Sequence, residues 1–117
     1  MNIEKIRQHC LKKKGVAECF PFDEDTLVFK VMGKMFGLIS LSNPFSVNLK
    51  CEPELAMELR EKYDGVTPGY HMNKKLWNTV SLNEGIPDKE ILSWIDHSYD
   101  QVVKGLPKKI QAELEKL

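Results

Sequence analysis

The chain has 117 residues, 42% hydrophobic and 29% charged, with 17 Lys/Arg against 17 Asp/Glu. That length sets one domain with a core that needs neither metals nor disulfides, and the composition excludes wholesale disorder. Zero net charge excludes a global basic field that would draw in nucleic acid, so any such contact must come from a local patch.

Asn2 to Lys13 reads as a helix, with Ile3, Ile6, Cys10 and Leu11 on one side and Asn2 as N-cap. Lys12, Lys13 and Lys14 suit its negative C-terminal end, and Gly15 stops it. Cys19 to Phe22 reads as a short strand, followed by the acidic turn Asp23-Glu24-Asp25. Thr26 to Met32 alternates Leu27, Phe29 and Val31 against Val28, Lys30 and Met32. Gly33-Lys34 has hairpin chemistry, Met35 to Leu41 pairs back, and Gly37 marks a bulge or a close approach. After the Ser42-Asn43-Pro44 turn, Ser46 to Cys51 alternates Val47 and Leu49 against Asn48 and Lys50.

Glu52 to Tyr63 is a second helix with Pro53 in its first turn. Val66 to Lys75 reads as loop, punctuated by Pro68-Gly69. Leu76 to Leu82 is a strand with Trp77, Thr79 and Ser81 opposite Val80 and Leu82. Pro87 to Lys104 is a long helix with Ile91, Ile95, Ser98, Val102 and Leu106 on its core side, and Pro107 to Leu117 is a short terminal helix. The expected architecture is α+β, a single domain over 1–117. It is a two-layer sandwich in which helices cover one face of an antiparallel sheet of about five strands, in the order α-β-β-β-β-α-β-α-α. The other face is left open for a partner.

Cys10, Cys19 and Cys51 form no CxxC pair, which points to free thiols in a reducing compartment. The stretch MNIEKIRQHCLKKK lacks the apolar core of a signal peptide, and no apolar run approaches a membrane span. A cytoplasmic monomer without membrane contact is expected. His9, His71 and His97 lack metal-ligand spacing, so no metal or cofactor is expected. No Walker loop, GxGxxG, HExxH or GxSxG occurs, which removes the usual grounds for proposing an enzyme.

GYHMNKKLWNTVSL, from Gly69 to Leu82, is the most distinctive stretch. No acidic residue lies between Asp64 and Glu84. His71 and Asn73 admit two readings: an acid–base pair, or side chains that tie down the bend before the strand. Trp77 either stacks on a base or anchors its strand against a helix. Lys74 and Lys75 contact phosphates or are simply solvated, and Lys30 and Lys50 extend a basic outer face if strand alternation places them together.

His71, Met72, Asn73, Lys74, Trp77, Thr79 and Val80 stand in the register H-[LM]-N-K-x-x-W-x-T-[VI]. With TLVFKV, SVNLKC and SYDQVV elsewhere, the chain resembles the MmcQ/YjbR family of small bacterial proteins over essentially its whole length. The resemblance implies a two-layer sandwich of the bacterial frataxin type and a DNA-binding, non-enzymatic function. The contact set it suggests is Tyr70, His71, Asn73, Lys74, Lys75, Trp77, Lys30 and Lys50, with no catalytic residue. The rival reading is a protein- or peptide-binding adaptor on the same open face, with Met32, Met35 and Met72 as an adaptable apolar surface.

Overall fold

The computed structural model describes residues 1–69 and 72–117. Helix α1 (Ile3–Leu11) leads into β1 (Val16–Cys19), β2 (Thr26–Val31), β3 (Lys34–Ser40) and β4 (Ser46–Lys50). Then come α2 (Pro53–Lys62), β5 (Val66–Pro68), β6 (Trp77–Ser81), α3 (Asp88–Lys104) and α4 (Lys108–Glu115). The strands form one antiparallel sheet in the order β1-β2-β3-β4-β6-β5. The architecture is therefore the expected α+β sandwich, with six strands among the described residues rather than about five.

The additional strand is β5, which falls where the sequence reads as loop. Three residues ending in proline carry no alternation signal of their own. The strand exists because Val66 and Thr67 pair with Val80 and Thr79 of β6. The first strand also shifts toward the N-terminus, to Val16–Cys19, leaving Phe20 and Phe22 exposed in the β1–β2 loop. The tight β2–β3 turn is Met32-Gly33, one residue earlier than expected. Both residues have positive φ, 49° and 84°, the geometry a two-residue hairpin demands and glycine supplies at low cost. The register slips between Phe29 and Lys30, opposite 35–37, which is the bulge near Gly37.

Helices cover one face of this sheet. Helix α3 crosses β2, β3 and β4, while α1 packs on β1 and α2 on β5. Phe29, Phe36, Ile39, Val47 and Val80 point toward the helices and meet Ile91, Ile95 and Val102 of α3 in the main core. All five residues expected on the core side of α3 are buried, and Trp94 joins them. Asn2 caps α1 by accepting the Lys5 N–H at 2.8 Å, and Glu52 caps α2 by accepting from Glu54 and Leu55.

The Lys12–Lys14 run does more than face a helix end. Lys13 Nζ pairs with Asp96 at 2.6 Å, and His9 Nε2 lies 2.7 Å from the same carboxylate oxygen. This cluster ties α1 to α3. No helix among the described residues is long and apolar enough to cross a membrane.

Candidate functional site

The uncovered face of the sheet is built from the alternate residues of each strand. Strand register arranges them in three transverse rows. The first row holds Ala17, Lys30 and Met35, and then Lys50 opposite Trp77. Met35 and Lys50 also meet at the sheet's end, where both line a shallow depression with Lys34, Val102, Gly105 and Leu106. The second row runs Cys19, Val28, Leu38, Asn48, Thr79 and Thr67. The third holds only hydroxyls: Thr26, Ser40, Ser46 and Ser81. The face is therefore graded, basic at one end and uncharged polar at the other.

Lys30 and Lys50 lie together at the basic end, as alternation permits. Lys74 and Lys75 precede Trp77 by three and two residues, so they sit at this same end, exposed. Lys34, a fifth lysine at the hairpin end, is opposite Val31 and so falls on the helix side of the sheet edge, beside Val102 and Leu106. Among the described residues, no carboxylate lies within ion-pairing distance of any of these five. The acidic turn Asp23–Asp25 belongs to the β1–β2 loop, beside the hydroxyl rows instead.

Two residues to which the sequence assigned no site role, Arg60 and the core-side Ser98, hold this end in place. Arg60 of α2 donates from Nε to Asn78 Oδ1 at 2.7 Å, and its Nη2 donates to the carbonyls of Trp77, at 3.2 Å, and Lys74. Asn78 is 2% exposed and passes the restraint on to the Ala56 carbonyl. Ser98 of α3 donates its hydroxyl to the Phe36 carbonyl at 2.5 Å and accepts the Lys50 N–H at 2.8 Å. It thereby pins the β3 bulge to the end of β4 that carries Lys50. The lone arginine of α2 and the serine on an otherwise apolar helix side were the available signals.

Asn73 uses Oδ1 to accept the Lys75 N–H at 3.0 Å, so its side chain ties down the bend. Trp77 is packed, but its partners lie on the face away from the helices. It forms a small cluster with Val28 and Leu38, flanked by Met35, Met72 and Leu76. At 8% exposure its ring has no face free for stacking. Gly69 allows the neighbouring chain to approach, because a Cβ there would stand 2.7 Å from that of Trp77. Tyr70 and His71 lie outside the described residues.

Beyond the lysine end, the second and third rows floor a pocket of about 490 Å³. Leu38, Ser40, Ser46, Asn48, Thr79 and Thr26 form its floor. Phe22 and Asp23 wall one side and Met72 the other.

The ionisable groups on the helix side have structural roles. Burial alone would raise the Asp96 carboxyl, but hydrogen bonds from Lys13 and His9 outweigh it and hold it below the usual carboxylate range. Cys10, next to His9, is not an activated nucleophile, since burial pushes its thiol to about 12. No His/Cys/Asp/Glu cluster suited to a metal occurs among the described residues.

An open-faced α+β sandwich whose uncovered face is graded from lysines to hydroxyls defines a class of small proteins, and comparison with known proteins places the chain within it. The family model YjbR matches residues 11–101. The chain is 36% identical over 109 residues to the uncharacterized protein YjbR of Escherichia coli K12, covering 92% of each. It is 37% identical over 110 residues to the uncharacterized protein YbdF of E. coli O157:H7, covering 92% of this chain and 89% of that one. The crystal structure of the Deinococcus radiodurans protein DR2400, a DUF419 domain, superposes with a TM-score of 0.91 at 36% identity, covering 97% of this chain and 88% of that one. A Pseudomonas syringae crystal structure superposes with a TM-score of 0.76 at 31% identity, covering 86% and 98%. The chain belongs to the YjbR family.

Proposed function

We propose that this protein is a non-enzymatic DNA-binding protein that holds the phosphate backbone at the lysine end of its open sheet face. One observation carries the reading: Lys30 and Lys50 share the end row of the open face, Lys74 and Lys75 lie on the segment just before Trp77 of that row, and none of the four has an acidic partner among the described residues. Lys30 and Lys50 are half-buried, which limits the side-chain entropy they lose on contact. Lys74 and Lys75 sit on a turn fixed by Asn73 and Arg60. Zero net charge keeps the affinity local and sensitive to salt.

The test is fluorescence anisotropy of labelled single- and double-stranded DNA across a salt series. Each phosphate contact contributes about 0.7 to the log–log salt slope for single strands. Lys30→Ala/Lys50→Ala should therefore flatten that slope by about 1.4. Absence of binding at low salt, or an unchanged slope in the variant, sinks the proposal.

A second reading, a peptide-binding adaptor, draws on the Val28, Leu38 and Trp77 cluster with Met35 and Met72 at its margin. Apolar recognition of that kind survives salt that strips phosphate contacts, so the same series separates the two.

A further inference from the structure

The pocket differs in chemistry from the lysine end of the same face. Among the described residues, no lysine or arginine lines it. Its one charged lining residue among the described residues, Asp23, already accepts the Asp25 N–H at 2.9 Å. With the acidic turn beside it, this end repels anions. A phosphate cannot be the group the pocket takes.

The floor is instead a mixed set of hydroxyls and one amide. Asn48 Oδ1 accepts the Thr79 hydroxyl at 2.5 Å, which leaves the Asn48 amide hydrogens free to donate. Ser40 donates to the Ser42 carbonyl at 3.0 Å and can still accept. Ser46 and Thr26 have no side-chain partner among the described residues, and each both donates and accepts. Such a floor reads the edge of a planar, uncharged ring carrying alternating donors and acceptors.

The walls suit the faces of that ring. Phe22 is 63% exposed, a large apolar surface left in water at the rim of a pocket. Met72 stands on the other side, soft enough to adapt to a flat partner. The volume lies within the range of small-molecule sites.

Position completes the argument. Asn48 is two residues along β4 from Lys50, and Ser46 is four. At the strand repeat these are separations of about 7 and 13 Å. They match a nucleotide strand whose phosphates run along the lysine row and whose base turns toward the hydroxyl rows.

We infer that the pocket takes one unstacked nucleobase of a single DNA strand whose phosphates lie on the lysine row. This rests on the DNA reading above and sharpens it. A base in this pocket has left its stack, so single strands bind more tightly than duplex, which must first unpair and unstack one.

The test is an amide NMR titration of the whole protein with each of the four uncharged deoxynucleosides, then with a short single-stranded oligonucleotide. Two variants accompany it: Ser46→Phe, which fills the pocket from its open side, and Phe22→Ala, which trims an exposed loop side chain. Nucleosides should shift the Ser40, Ser46, Asn48 and Thr79 amides, and both variants should lose these shifts. Both should also weaken single-strand binding about tenfold, the scale of one lost stacking contact, with the salt slope unchanged. If nucleosides leave these amides unmoved and both variants bind the oligonucleotide as wild type does, the pocket assignment falls while the lysine reading stands. If nucleosides shift them but Lys30→Ala/Lys50→Ala binds the oligonucleotide unchanged, the lysine reading falls and the pocket remains a nucleoside site. Phe22→Ala keeps the test valid should Ser46→Phe fail to fold.

Discussion

On the helix side of the sheet, Phe29, Phe36, Ile39, Val47 and Val80 are each at most 1% exposed, and α3 seals them from water. On the other side, among the described residues, only Val28, Leu38 and Trp77 are buried, and no helix covers them. Their shelter comes from strand neighbours and from the Met72–Leu76 segment. The helix side must be apolar in every row, because a polar group under α3 would need a partner there. Among the described residues Ser98 and Asn78 are the two exceptions, and both are hydrogen-bonded. The open side is free of that demand, so its rows can differ from end to end, lysines at one end and hydroxyls at the other. A covered face stores stability; an uncovered face can store chemistry.

Large-to-small substitutions test this contrast most strongly. Phe36→Ala should cost about 4–5 kcal/mol, since its site is sealed and cannot fill with water. Trp77→Ala should cost nearer 3 kcal/mol, because its site opens toward solvent and can relax. Urea unfolding midpoints decide, and equal losses would mean the open face is as much a core as the covered one.

Ser98→Ala comes next. It leaves the Lys50 N–H without its partner under α3, and the expected loss is about 1–3 kcal/mol. Hydrogen exchange at the Lys50 amide should quicken in the variant more than at the Val47 amide. Uniform acceleration would mean Ser98 supports the sheet generally rather than the lysine end.

The smallest effect on stability, and the sharpest on chemistry, concerns the thiols. Burial pushes Cys10 to about 12 and Cys51 to about 11, so both remain protonated near neutral pH. Cys19, on the open face and half-buried, is the expected first site of alkylation, because it is the most accessible thiol. As pH rises, Cys51 should react before Cys10. Mass spectrometry of iodoacetamide-treated protein reads the order, and early labelling of Cys10 would show that the covered face opens.

Much of this was legible in the chain. Strand alternation assigned Lys30 and Lys50 to the side away from Phe29 and Leu49, and helical spacing located the buried side of α3 down to Ser98. Strand β5 was not legible, since three residues held only by β6 have no periodicity to read. Nor was the packing of Trp77: its surroundings are Val28 and Leu38, about forty to fifty residues earlier in the chain and brought there by strand pairing. Arg60 reads as one more charge on an amphipathic helix until the β5–β6 turn folds back over it.

The sequence by itself determined which residues share a face, because a period of two along a strand and 3.6 along a helix is a local property of the chain. Only the tertiary structure decided which rows those residues form. Register between strands is set by pairing across long sequence separations, and it alone brings Lys30 and Lys50 into one row and Thr26, Ser40, Ser46 and Ser81 into another.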